Sequence, residues 1–415
     1  MGSIMKPIAF IYLNGERNIG RGAGIIASVI LNAEYELVFF DTVYESIESV
    51  ANNIINNNFS IIMISASTLF YKDAINLSKL IKSKNSSIPI ILGGAHVTIM
   101  REKILEDCPE IDFICVGEGE DFILEFLSKY GTPEFYDIKN LGYRTPETFK
   151  TPGIIIINPI RDCTNLDTLP NFKYDLFPQS SIILNSPLPG FCYVFATRGC
   201  PFFCNYCQNS YYLQMYKKGY LRTRSVDSVI EELKFVKANY PVQIFYFGDE
   251  MILFNKGYAK ELFSRVKSEI GLPYGCMVRV ETVDQEITDL FKSTGCKYVG
   301  MGVECGNEKF RREFLNRNMS NEQIINAFRL LRTIPNIMLT SYNMRGYPVI
   351  NDAELLLETQ KLNSIIKPNI VQMSLFFPFP GTKLYDYCVK HDLIDYNKLN
   401  NVQDYFTQSI LKEIK

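Results

Sequence analysis

Three cysteines stand within eight residues in the segment Arg198-Gly199-Cys200-Pro201-Phe202-Phe203-Cys204-Asn205-Tyr206-Cys207. This CxxxCxxC spacing offers three thiolates to one soft metal centre, provided that the backbone wraps around it. A structural zinc site closes with four protein ligands. Here the fourth is missing, because there is no second CxxC nearby and the chain's 2 His, His96 and His391, are remote in sequence. An iron-sulfur cluster held by three Cys keeps one iron open for a substrate or cosubstrate. The plain alternative is three incidental thiols. The remaining eight of 11 Cys (Cys108, Cys115, Cys163, Cys192, Cys276, Cys296, Cys305 and Cys388) are scattered and read as small buried hydrophobes. An odd count spread along a long chain is not a disulfide scaffold and suits a reducing compartment.

A loop that wraps a cluster must be placed by strands. The cysteines follow a β-rich run near Tyr193–Ala196, and from there the chain alternates strands and helices. Further strands are expected near Gln243–Phe247, Gly275–Val278, Tyr298–Met301, Ile337–Asn343 and Ile370–Leu375, with helices between them. Six such units predict a partial (β/α)6 barrel with its chemistry on the loops at the strand carboxyl ends. An earlier α/β stretch carries strands at Ile8–Leu13, Glu36–Phe40, Ile61–Ser65, Pro89–Leu92 and Asp112–Val116, again separated by amphipathic helices. It predicts a Rossmann-like doubly wound domain whose ligand lies beyond the strand carboxyl ends. Between the two, a Pro-, Asn- and Asp-rich stretch with a small hairpin near Leu141–Arg144 and Gly153–Asn158 reads as a linker. The expected division is therefore 1–132, a linker over 133–188, a barrel over 189–385 and a short C-terminal segment over 386–415.

Composition excludes several classes of function. With 43 Lys+Arg against 45 Asp+Glu, the net charge of -2 gives no bulk electrostatic reason to bind nucleic acid or anionic lipid. No stretch reaches the ~18 uninterrupted apolar residues of a membrane span. The first residues carry no apolar signal core, so a cytoplasmic enzyme is expected.

At the cysteines the sequence resembles the radical S-adenosylmethionine (radical SAM) superfamily, whose CxxxCxxC has an aromatic residue before the last Cys, here Tyr206. The resemblance implies a 4Fe-4S cluster on Cys200, Cys204 and Cys207. Its open iron would chelate S-adenosylmethionine, whose cleavage releases a 5'-deoxyadenosyl radical. Phe247-Gly248-Asp249-Glu250 falls where the family has Gly-Gly-Glu, a contact to the methionine amino group, with Asp249 departing from Gly. Gly300-Met301-Gly302-Val303-Glu304-Cys305-Gly306 is similar to a segment shared by methylthiotransferases and cobalamin-binding members, with Cys305 replacing Ser. By that likeness Glu304 would bear on the ribose or the cluster pocket, and Arg279 and Arg317 stand where that subgroup has basic residues. Gly346-Tyr347-Pro348 resembles the loop that packs on the adenine, and Pro378-Phe379-Pro380-Gly381-Thr382 resembles the phrase after the last strand.

The first domain lacks GxGxxG after its first strand, which argues against a dinucleotide. Its strand ends read Ser65-Ala66-Ser67-Thr68, Gly93-Gly94-Ala95-His96 and Gly117-Glu118-Gly119-Glu120. Paired glycines let a large ligand approach the backbone. Residues 7–130 resemble the cobalamin-binding domain that precedes the radical module in class B-type radical SAM methyltransferases and their relatives. The implied cobalamin residues are Asn14, Arg17, Ser65, Ser67, Thr68, Gly93, Gly94, His96, Gly117, Glu118 and Gly119. The first loop has no His, so cobalt would lack a protein His ligand, and His96 by position would bond the cofactor's tail or close a loop. The resemblance as a whole implies methylation of an unactivated carbon in a peptide, lipid or small metabolite, through methylcobalamin and the adenosyl radical. A flavodoxin or ferredoxin would supply electrons. A non-methylating cyclisation or rearrangement, and a non-catalytic metal-binding redox sensor, are the alternatives.

Overall fold

Ile8–Tyr12 is apolar on both faces of its pleat, as a strand must be when helices cover its sheet on both sides. In the computed structural model, which describes residues 6–145, 153–185, 187–399, 402, 404 and 406–412, this strand is β1. The chain divides into two units, Met1–Ser181 and Ile182–Lys415.

In the first unit β2 (Leu37–Asp41), β3 (Ile62–Ser65), β4 (Ile90–Gly93) and β5 (Phe113–Cys115) join β1 in a parallel sheet. The antiparallel strands β6 (Leu141–Arg144) and β7 (Ile155–Ile157) extend it to the order β2-β1-β3-β4-β5-β6-β7. The helices are α1 (Arg21–Asn32), α2 (Ile47–Asn56), α3 (Tyr71–Lys84), α4 (Ala95–Met100), α5 (Glu102–Asp107) and α6 (Glu120–Lys129). Alternation along β1 sends Ile8 and Phe10 to a core shared with α1 and α6, and Ala9 and Ile11 to one shared with α2, α3, α4 and α5. The chain thus changes sides between β1 and β3, and the crevice such a switch opens at the strand carboxyl ends is the ligand position of open α/β sheets. The helical stretch between β4 and β5 breaks into α4 and α5. Arg101 takes φ +47 there, a left-handed turn that ends the first ladder of hydrogen bonds.

The second unit is built on β8 (Phe191–Val194). It continues through the short strands β9 (Thr197–Arg198) and β10 (Arg222–Thr223), which pair with each other antiparallel. The long strands follow: β11 (Ile244–Phe247), β12 (Tyr274–Val278), β13 (Cys296–Glu304), β14 (Met338–Arg345) and β15 (Ile370–Leu375). Their order, β15-β14-β13-β12-β11-β8, is parallel throughout and makes a curled half-barrel. Phe247 and Tyr274 pack outward on Phe263, while Tyr246 and Tyr298 on the opposite face meet Phe191 and Ile244. Four of the connecting helices start on side-chain caps, Ser225, Asn255, Asp284 and Ser320, which fix where each strand-to-helix loop must stop.

Candidate functional site: a thiol loop and a row of strand ends

The cysteine loop leaves the carboxyl end of β8 and is fastened before its first thiol. Asp249, fully buried just past β11, accepts the Ala196 and Thr197 amides and the Thr197 hydroxyl on Oδ1. Burial pushes this carboxyl up to about 7 despite those hydrogen bonds. The side chain read as a departure from the methionine-binding Gly therefore holds the entrance of the loop, and its neighbour Glu250 is exposed. Gly199 follows at φ +100, and a Cβ there would stand 2.4 Å from the Tyr220 carbonyl oxygen. Further on, Asn205 bonds the Leu315 carbonyl through its amide and the Phe314 carbonyl through Nδ2 (3.0 and 2.8 Å), and Gln208 reaches the Pro380 carbonyl.

So held, Cys200 and Cys204 are buried and Cys207 half-buried. Burial raises the Cys200 thiol and pushes Cys207 up to about 12, so as free thiols they stay protonated at neutral pH. A metal centre supplies the positive charge that draws such protons off. A structural zinc is closed by four protein ligands, whereas three such thiols on one loop suit a cluster in which each thiolate binds its own iron.

Two arginines complete the site. Arg279, just beyond β12, donates to Cys204 Sγ at 3.5 Å and to Glu281 at 2.5 Å, and its guanidinium lies 3.6 Å from the centre of the Phe202 ring. Arg317 donates to Tyr206 Oη (3.2 Å), Glu304 Oε1 (3.1 Å) and the Gly302 carbonyl (2.8 Å). Burial keeps Tyr206 a neutral phenol. Glu304 adopts φ +67 at the end of β13, and its carbonyl accepts from Tyr347 Oη at 3.2 Å. The Gly346 and Tyr347 amides are in turn held by Asp352. Of the residues expected at this site, the three cysteines, Tyr206, Arg279, Glu304, Arg317 and Tyr347 thus form one connected set. Gly248 lies under the Phe195 and Tyr193 rings, and Pro348 is buried beside Tyr347.

In the first unit, pairing aligns Asp41 with Tyr12, Tyr12 with Ser65, and Ser65 with Gly93, a row of four strand ends. Asn14 closes the first loop on itself, bonding Glu16 through both ends of its amide, and its own N–H reaches Thr42 Oγ1 at 2.9 Å. Arg17 and Ser67 are exposed. Gly94 has φ +110, and a Cβ there would meet the Ala66 carbonyl oxygen at 2.5 Å. His96 contacts Thr68 Oγ1 at 3.2 Å and its ring lies 4.3 Å from that of Tyr71. Burial lowers its pKa to about 4. It therefore closes a loop as a neutral ring. The Gly117 amide donates to Thr98 Oγ1, Glu118 accepts from the Thr164 amide, and Gly119 abuts Ile26. Sequence reasoning missed Asp41, Thr42 and Tyr71. An acidic residue ending the second strand of a Rossmann-like unit was a usable signal for the first of these.

Comparison with known proteins agrees with this division. Residues 17–127 match the B12 binding domain model and residues 194–358 the radical SAM superfamily model. The chain is 28% identical over 378 residues to an uncharacterized methyltransferase of Pyrococcus horikoshii, covering 90% of this chain and 79% of that protein. It is 25% identical to the anaerobic magnesium-protoporphyrin IX monomethyl ester cyclase of Rubrivivax gelatinosus, covering 77% of this chain but only 57% of the cyclase. Among solved structures, the radical S-adenosylmethionine methyltransferase TsrM from Kitasatospora setae, with cobalamin and a [4Fe-4S] cluster bound, superposes with a TM-score of 0.72. That likeness covers 93% of this chain and 78% of TsrM at 14% identity, and so is one of fold.

Proposed function

From the premise that this chain is a cobalamin-binding radical SAM protein, joining a B12-binding domain to a radical SAM domain, we propose that it methylates an unactivated carbon of a peptide, lipid or small metabolite. The observation that carries this reading is the three-thiol loop of Cys200, Cys204 and Cys207, in one chain with a glycine-lined row of strand ends. When bound, the 4Fe-4S cluster with S-adenosylmethionine supplies a 5'-deoxyadenosyl radical, and cobalamin supplies a transferable methyl group.

The chain's own residues bind and orient. Cys200, Cys204 and Cys207 would hold three irons and leave the fourth to S-adenosylmethionine. Arg279 donates a hydrogen bond to Cys204 Sγ and so helps to orient that thiol. Gly248, Glu250 and the Gly346-Tyr347-Pro348 loop would line the S-adenosylmethionine position. Arg317, itself paired with Glu304, bonds Tyr206 Oη and so holds the aromatic residue between the last two thiols in place. In the first domain, Gly93, Gly94 and Gly117 leave room for a flat macrocycle, while Asn14, Arg17, Ser65, Ser67, Thr68, Glu118 and Gly119 surround the strand ends, with His96 bracing them from beneath. On this reading residues 133–188, whose strands β6 and β7 belong to the first unit's sheet, lead from the first domain to the second, and a flavodoxin or ferredoxin in the cytoplasm supplies electrons. No helix among the described residues is long and apolar enough to cross a membrane.

The test is incubation of iron-reconstituted, cobalamin-loaded protein with reductant and methyl-labelled S-adenosylmethionine. Label appearing on the cobalamin supports methyl transfer. 5'-Deoxyadenosine without labelled cobalamin points to a rearrangement instead, and neither product points to a binding or sensing role. Cys204→Ala should abolish 5'-deoxyadenosine formation, and persistence of that product would overturn the cluster assignment.

A further inference from the structure

Asp41 ends β2 in the row of strand ends, 8% exposed, and only half of its carboxylate is used. Oδ1 accepts the Val43 amide at 3.1 Å and Asn14 Nδ2 at 3.4 Å, which accounts for the turn after β2. Oδ2 is shielded from solvent and has no partner among the described residues. Buried polar atoms are almost always paired, and a carboxylate oxygen can accept two hydrogen bonds, so an empty one at a ligand-binding edge marks where a donor from outside the chain belongs. The groups around it cannot take that place. Asn14 spends its amide on Glu16 and on Oδ1, and Thr42 Oγ1 donates to backbone carbonyls of Tyr12 and Asn14.

The geometry points to Asp41 as a cofactor-binding residue, whose free carboxylate oxygen accepts a hydrogen bond from bound cobalamin. The inference rests on the cobalamin reading above. It goes beyond it by assigning one oxygen of one residue and by stating the ligand chemistry, a neutral N–H or O–H donor. Two parts of cobalamin offer such donors: the primary amides around the corrin, and the ribose hydroxyl of the nucleotide tail. Cobinamide carries the corrin amides but no nucleotide, and so separates the two.

The experiment titrates the full-length, iron-reconstituted chain with hydroxocobalamin and with diaquacobinamide, following the visible spectrum, for wild type and Asp41→Asn. The Asn side chain retains an acceptor for the Val43 amide but places an N–H where Oδ2 stood. The expected result is a Kd for hydroxocobalamin raised at least ten-fold, with the unfolding midpoint of the unliganded protein unchanged. If cobinamide weakens by the same factor the donor is a corrin amide, and if cobinamide is unaffected the donor is on the nucleotide tail. Should Asp41→Asn not fold, Asp41→Ser supplies the same comparison, since its hydroxyl can accept the Val43 amide and leaves the second position empty. Equal affinity for both ligands in wild type and variant overturns the assignment, as does a lower midpoint with unchanged affinity. Wild-type protein that binds neither ligand removes the cobalamin reading itself, a different failure from a variant that binds as wild type does.

Discussion

Arg317 is 6% exposed and shares its charge among Glu304, Tyr206 and a backbone carbonyl, so removing it strands the Glu304 carboxylate in a buried place. Breaking a buried pair by deleting one partner typically costs about 3–5 kcal/mol. Arg317→Met should therefore lower the urea unfolding free energy of the second unit by about that amount. The double variant with Glu304→Gln should recover much of the loss, and additive single-variant losses would show that the pair is not coupled. Gly199→Ala is expected to act on the same loop by a different route. Its backbone lies in the left-handed region, where a Cβ costs roughly 1–2 kcal/mol before any clash with the Tyr220 carbonyl. Iron retained after reconstitution and desalting should fall well below the wild-type ratio. At this scale the cysteines were readable because their spacing is itself the signal. Arg279, Glu304 and Arg317 were readable only through likeness, and the structure joins the last two as an ion pair. Asp41 was signalled only by its place at the end of the second strand, and the role of Asp249 was not readable, since a single acidic residue has no spacing and its partners come from elsewhere in the fold.

Strands and helices were more legible than the contacts between them. The continuous apolar runs of a doubly covered sheet put the expected strands within a residue or two of those found, except that β13 runs three residues past its expected end at Met301. The β9 and β10 ribbon has two residues per strand, too few to make a pattern, and the break between α4 and α5 depends on one unusual backbone angle at Arg101. A measurable consequence belongs to α4, which carries His96 as its second residue. Its pKa, lowered to about 4 by burial, returns to about 6.5 on unfolding, so the unfolded chain takes up the proton first as pH falls. The stability due to the neutral ring is complete above pH ~6.5 and is lost progressively toward pH ~4. Between pH 7 and 5 the wild type should lose about 2 kcal/mol more unfolding free energy than His96→Gln. Parallel losses in the two proteins would mean that the ring titrates normally in the fold.

The whole chain has two compact units with separate cores, and each contains one of the two matched domain models. Calorimetry should resolve two unfolding transitions. Hydroxocobalamin at a hundred times its Kd should add about 2.7 kcal/mol to one of them and leave the other in place. A shift of both together, or of neither, would count against a cobalamin site confined to the first unit.

The fastening of the cysteine loop bears on the order in which this protein is built. Asp249, Asn205, Asn316 and Gln208 secure the loop through bonds that need no iron. Small zinc modules, by contrast, are unfolded until metal arrives. A loop fastened by such bonds is expected to close without metal, so a polypeptide made without iron should reach its final shape and be charged afterwards. A cluster lost to air should be replaceable without unfolding the chain.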